Sequence, residues 1–416
     1  MGKATRALLP PMGWMLVSMW MLVLAVWPSA LSAQASPWND AMDAASRALE
    51  ESRYAETEKR LRIAVEEARK FGPADRRLAD SLSSLGMVLY SQGKYVEAES
   101  LYKQALEISG KTLGSRHLRM ADGFTGLAAI YSMQSKFAQA EPLLDQALKI
   151  RERVLGAEHP DVANSLNNLG TFYKAQGMFS RAEVFYGRAL VILERVYGPG
   201  HLTVAATLSN LGILYSSEGK AVDAERLLKR ALIIRQAALG PKHSDVASSL
   251  SNLGAFYKSQ GKLIEAEHLL RDALAIQEIA RGPDKPEVAI TLGHLVALYE
   301  SQNKLDEISP LLERALGIWE RVLGADHPQV AGTLSSMAAV LEAQGKYTEA
   351  EPLLKRVLEI RERATVTGPE LALGLERYAA LLRKMDRPGD ASHLEARAKA
   401  MRFEPSGGDA GSGVDR

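Results

Sequence analysis

The run Ser165-Leu166-Asn167-Asn168-Leu169-Gly170-Thr171-Phe172-Tyr173 decides the fold, because its Leu-Gly pair recurs along the chain without a slip. With Leu169-Gly170 itself the series runs Leu85-Gly86, Leu127-Ala128, Leu169-Gly170, Leu211-Gly212, Leu253-Gly254, Leu295-Val296 and Met337-Ala338, each 42 residues from the last. Two more columns keep the same step: Tyr131, Tyr173, Tyr215, Tyr257 and Tyr299, and Ala98, Ala140, Ala182, Ala224, Ala266, Ile308 and Ala350. A period of this size marks a stack of supersecondary units rather than separate globules.

Inside one unit, Leu166, Leu169, Gly170 and Tyr173 recur at helical spacing, and Ala182, Tyr186 and Ala189 form a second apolar stripe. Each unit is therefore two amphipathic helices joined by a tight turn. The turn carries Gly93, Gly177, Gly219, Gly261 or Gly345, with Asn303 and Asp386 in equivalent places, all residue types that tolerate a left-handed cap. Ser52 and Ser135 fit that preference less well. Gly114, Gly156, Gly198, Gly240, Gly282 and Gly324 close the second helices, and Pro160, Pro286 and Pro328 can open the next at a position where a missing N–H costs nothing.

The order L-x2-L-G-x2-Y followed by A-x3-Y matches the tetratricopeptide pattern, lengthened here by a longer second helix and a loop holding His159, His201, His243 or His327. Divergent units flank the array, one around 40–70 with Tyr54, Leu61 and Ala64, the other around 370–401 with Tyr378 and Ala391 out of phase. Solenoid ends are expected to diverge because their outer faces meet water. The expected fold is all-α: nine antiparallel helix pairs in a right-handed superhelical α-solenoid. Its parts are a divergent pair at 36–73, seven regular units at 74–363, a capping pair at 364–403 and a disordered tail at 404–416.

The run His159-Pro160-Asp161-Val162-Ala163, with Leu166-Asn167-Asn168-Leu169-Gly170, Ala182-Glu183 and Arg188-Ala189-Leu190, resembles the 42-residue tetratricopeptide unit of kinesin light chains and their bacterial relatives. The likeness is strong from about Arg77 to Arg363. It implies a concave groove, lined by the first helix of each pair, that holds extended segments of partner proteins. Kinesin light chains also carry a heptad coiled coil, which this sequence does not show, so a motor role is not implied.

Composition agrees with a binding role. With 51 Lys+Arg against 50 Asp+Glu the formal charge is +1, so no global field points to nucleic acid or to an anionic membrane. The 46% hydrophobic and 6% aromatic content suits packed helices. The absence of cysteine removes disulfides, thiolate nucleophiles and cysteine-ligated metals. A G-x6-G-K pattern at Gly86–Lys94 and Gly254–Lys262 has the wrong spacing for a phosphate loop, and its first glycine falls inside a helix. The histidine column His117, His159, His201, His243 and His327 supplies one residue per unit, whereas zinc needs three or four converging ligands; loop packing or capping of the next helix is the expected role. No H-E-x-x-H or G-x-S-x-G occurs, so no catalytic, metal or cofactor residue is expected. The charged second-helix face, as at Glu194 and Arg195, reads as solvated surface, and Trp38 and Trp319 read as packing residues.

Lys3 and Arg6, the apolar run 12–27 and the small residues up to Ala33-Gln34-Ala35 read as a secretory signal over 1–35, cleaved after Ala35 or Ala33. Export to the periplasm or the medium is expected, with no membrane association once the signal is removed; the alternative is an uncleaved anchor at 12–27 holding a structural subunit of an envelope assembly. On the first helices, the stripe opposite the core carries Asn164, Asn167, Thr171 and Lys174, then Ser209 and Ser216, then Ser248, Ser251 and Lys258. Glu300 and Glu342 continue it. These are the expected groove residues for a protein or peptide partner, basic at the centre and acidic toward the C-terminus.

Overall fold

The computed structural model describes residues 36–363 and 368–403. The signal or anchor expected at 1–35, with the run 12–27, and the tail expected at 404–416 lie outside the described residues. Among the described residues every regular element is an α-helix. They run as α1 (Pro37–Glu50), α2 (Tyr54–Arg69), α3 (Arg76–Ser91), α4 (Tyr95–Leu113), α5 (Leu118–Met133), α6 (Phe137–Leu155), α7 (Pro160–Ala175), α8 (Phe179–Tyr197), α9 (Leu202–Ser217) and α10 (Ala221–Leu239). Then come α11 (Ser244–Ser259), α12 (Leu263–Arg281), α13 (Pro286–Ser301), α14 (Leu305–Leu323), α15 (Pro328–Ala343), α16 (Tyr347–Arg363), α17 (Gly368–Lys384) and α18 (Pro388–Phe403). They form two compact units, divided between Leu323 and Gly324.

Each odd-numbered helix packs along the even-numbered one that follows, and within each unit that second helix packs on the first helix of the next pair. This is the α-solenoid arrangement. Apolar residues fill both seams: Ala224 and Leu228 of α10 cluster with Leu253 and Phe256 of α11, while Val246, Ala247 and Leu250 of α11 cluster with Ala273 of α12. The Leu-Gly column explains the close approach within a pair. A Cβ on Gly170 would lie 2.6 Å from the Tyr186 ring, which is completely buried. The second unit has its own core, built from Ala338, Leu354, Leu375, Ala379 and Ala391 among others.

The turns are built as the sequence suggests, with one difference. Ser52 and Ser135 adopt the same left-handed conformation as the glycines, at φ +61° and +58°, beside Asn303 at +55° and Asp386 at +57°. The backbone bonds that close the turn, such as Lys136 N–H to the Tyr131 carbonyl, stay in place and hold the residue there. The glycine after the second helix is stricter: Gly198 sits at φ +86°, ψ +158°, a region essentially reserved for glycine. The histidine column caps the first helices, since Nδ1 of His117, His159, His201, His243 and His327 accepts the backbone N–H two residues on.

A ladder of part-buried polar contacts fixes the register between units. Tyr173, Tyr215, Tyr257 and Tyr299 each donate from a first helix to a glutamate on the preceding second helix, Glu141, Glu183, Glu225 and Glu267, at 2.7–3.0 Å. The residue after the turn completes the set: Lys220 pairs with Glu183 at 2.9 Å and lies 4.8 Å above the Tyr215 ring. In the second unit Tyr378 reaches the equivalent Glu351 at 2.8 Å, so the out-of-phase tyrosine keeps the same partner. Tertiary curvature appears within the first unit, where Lys285 Nζ donates to the Glu51 carbonyl at 2.9 Å across 234 positions of sequence.

Candidate functional site

First helices of successive pairs touch one another directly, α3 on α5, α7 on α9, α9 on α11 and α11 on α13. They form the closely spaced inner row of the first unit, and the residues expected to line a groove lie on it. Their roles differ. Ser209 and Ser251 are only 5% and 3% exposed. Ser251 Oγ shares a hydrogen bond with His294 Nδ1 at 2.8 Å and accepts from Thr291 at 3.3 Å. Ser209 donates to the Ala205 carbonyl and accepts from Arg235. Thr171 donates to the Asn167 carbonyl and lies 2.8 Å from the Tyr186 hydroxyl, which ties it to its own second helix. Ser248 folds back onto the Ser244 carbonyl. Ser209, Ser251 and Thr171 thus join helices to each other, whereas Ser248 bonds only within α11 and keeps its acceptor lone pairs.

Asn164, Ser216, Lys174 and Lys258 are different. All four are half-buried, and no side-chain hydrogen bond or ion pair engages them among the described residues. Most other lysines and arginines are paired, as Lys220, Lys229 and Arg230 are. Burial pulls the Lys174 ammonium below its ordinary value, which no neighbouring carboxylate opposes. Glu342, expected to make the far end acidic, is neutralised by Lys384 at 3.0 Å within the second unit.

Sequence reasoning missed the adjacent column, Asn168, Asn210, Asn252 and His294. The Asn167 Oδ1 and Asn168 Nδ2 atoms are buried without a partner among the described residues, although Asn167 Nδ2 donates to Thr207 at 3.0 Å. Burial first, and then the charge of Lys258, push His294 down to about 4, so the ring is neutral at pH 7. The signal was present in the repeated Asn-Leu-Gly of the motif, but a helical wheel assigns that position to the flank of the stripe. The second-helix surface also departs from expectation: Val222 and Ile264 stand 82% and 84% exposed on faces read as charged.

Among the described residues no group of three or more His, Asp or Glu could hold a metal. Gly86 and Gly254 abut Tyr102 and Leu270 inside helices, and Lys94 and Lys262 face Glu58 and Glu225. Trp319 is buried, and Trp38 donates to Ser81 at 2.8 Å. No helix of the described residues is long and apolar enough to cross a membrane.

Among curated proteins none matches the chain. Among solved structures, BtubC (BKLC) from P. vanneervenii is similar at 28% identity, covering 59% of this chain and 92% of its own, with a TM-score of 0.43. A putative kinesin light chain from Podosopora anserina with nearly identical TPR-like repeats shares 28% identity over 50% of this chain and 97% of its own, with a TM-score of 0.42. The Rap protein complexed with Competence and Sporulation Factor shares 12% identity over 88% of this chain and 97% of its own, at a TM-score of 0.51, a likeness of fold. The tetratricopeptide repeat profile matches residues 78–119 and, in overlapping spans, 119–402, so the chain belongs to the tetratricopeptide repeat family.

Proposed function

We propose that this chain is a non-catalytic scaffold that binds an extended segment of a partner protein along the inner row of first helices from α7 to α11. The observation that carries this reading is the pair Lys174 and Lys258, cations on that row with no ion pair among the described residues, beside the unengaged polar side chains of Asn164 and Ser216. An amide and a hydroxyl that no neighbour engages suit a peptide backbone, each net hydrogen bond contributing about 0.5–1.5 kcal/mol. Several units together reach micromolar binding, about 8 kcal/mol, after the ordering cost is subtracted.

The test is selection of peptides from a displayed random library on the whole chain, with Lys174→Glu/Lys258→Glu as the comparison. Selected peptides should compete with one another and lose binding to the double variant, whose helical circular dichroism stays the same. Equal binding to both proteins refutes the assignment.

The reading includes export. Its support is the basic Lys3 and Arg6, the apolar run 12–27 and the small residues ending at Ala35. N-terminal sequencing of the native protein should begin at Gln34 or Ser36. Recovery of chains that still carry Met1 would favour the second reading, an anchored subunit of an envelope assembly.

A further inference from the structure

Two second helices of the first unit each bury an arginine at the same position of the repeat, and the two are not treated alike. Arg151 of α6 is 7% exposed. Its Nη1 donates to Ser165 at 2.6 Å and to Thr125 at 3.4 Å, and its Nη2 donates to the Asp122 carboxylate at 2.6 Å. Asp122 reaches down from the inner row with 45% of its side chain still exposed.

Two repeats on, every member recurs but one. Arg235 of α10 is 8% exposed, and its Nη1 donates to Ser249 and Ser209, the counterparts of Ser165 and Thr125. The counterpart of Asp122 is Ala206, which is half-buried and has no polar side-chain atom. Nη2 and Nε of Arg235 therefore make no hydrogen bond or ion pair among the described residues. Asp245 acts on Arg235 only through its field, with no hydrogen bond or ion pair between them. A guanidinium stays charged at neutral pH and is stabilised most by a bidentate or charge-assisted oxygen partner. Leaving one buried and unpaired is costly, and the units on either side of Arg235 hold another residue at this position, Leu193 in the repeat between the two arginines and Gln277 in the repeat after.

We propose that the inner face above Ala206 is a carboxylate-binding site, in which a carboxylate of a bound peptide meets Nη2 of Arg235 as Asp122 meets Nη2 of Arg151. The site takes an acidic side chain or a C-terminal carboxylate, and it rests on the peptide-groove reading given above. It lies on the row between Lys174 of α7 and Lys258 of α11, so the three unpaired cations favour an acidic segment.

The internal comparison supplies the test. In Ala206→Asp the protein's own carboxylate should fill the site, and in Arg235→Leu the site should vanish while the helix keeps the residue found at 193. Sodium acetate replacing sodium chloride at fixed ionic strength should raise the thermal midpoint of the wild-type chain by about 2 °C and leave both variants unmoved. Equal shifts in all three proteins would overturn the proposal. Three short peptides of one sequence then separate the sources: an Asp form with an amidated C-terminus, its Asn counterpart with the same amide, and the Asn form with a free C-terminus. Whichever carboxylate the site takes should bind at least about tenfold more tightly than the neutral peptide, and lose that advantage in Ala206→Asp. If peptides bind without regard to carboxylates, the groove stands and the Arg235 site fails. If acetate acts on the wild type alone and no peptide binds, the Arg235 site stands and the groove reading fails.

Discussion

Gly170→Ala isolates the close approach that the repeated Leu-Gly pair provides. A Cβ at this position would meet Cδ1 and Cε1 of Tyr186 at 2.6 Å and Cγ at 2.9 Å, where ordinary contact begins near 3.4 Å. The ring has little room to withdraw, because Tyr186 is fully buried and its hydroxyl is held 2.8 Å from Thr171. Clearing the clash needs a shift of about 1 Å, and overpacking of this kind costs about 1–3 kcal/mol. Replacing glycine in a helix interior returns about 1 kcal/mol, so the net effect should be a loss of about 1 kcal/mol. Gly187→Ala on α8 is the control, since nothing lies within 4 Å of its added Cβ; it should gain up to about 1 kcal/mol. The gap of about 2 kcal/mol between the two variants is then the steric cost alone. Urea unfolding followed by circular dichroism reads the totals, and amide exchange in α7 and α8 reads where the loss falls, because a solenoid opens locally. Adding Tyr186→Leu recreates the pairs that two other units use, Ala128 with Leu144 and Ala338 with Leu354, and should cost less than the two single changes summed. The packing argument fails if Gly170→Ala stabilises as much as Gly187→Ala, or if the double variant is simply additive.

His294 should titrate near 4 by NMR, and Lys258→Met should raise that midpoint because the repelling charge is gone. The folded value lies below the usual histidine range, so its contribution to stability is complete above about 6.5 and is lost as pH falls toward 4. Glu351 is held down to about 2 by its hydrogen bond to Lys355, with Tyr378 and Arg387 adding to it. Its contribution is present above about 4.3 and fades toward pH 2, so Glu351→Gln should flatten the acid limb of stability measured across that window. Leu211→Ala, at a position only 4% exposed, should cost about 2–5 kcal/mol and speed amide exchange in α9 to α11 before distant helices.

The helices and their ends were legible because they depend on local rules. The Leu-Gly and Ala columns specify which face of each helix is buried, and the glycines after the second helices occupy backbone conformations closed to other residues. Even there, Ser52 and Ser135 show that a turn can be held by its closing hydrogen bonds against the residue's own preference. The inner row was legible as a stripe, since Lys174 and Lys258 lie on it as spacing requires. Which of its members stay free was not legible: Ser209 and Thr171 are taken up by Arg235 and Tyr186, partners on second helices.

What the sequence determined by itself was thus everything with a period: the helix pairs, their order, their caps and the face each turns to its neighbours. Hydrophobic burial and backbone sterics act over a few residues, so a single strand of text records them. Only the tertiary structure decided that Asp122 neutralises Arg151 while Ala206 leaves Arg235 without a carboxylate, and that burial, with Lys258 of the preceding first helix, depresses His294. These depend on side chains from two or three helices meeting in a crowded interior, where one hydrogen bond or one missing carboxylate sets the chemistry, and no periodicity encodes which atoms meet.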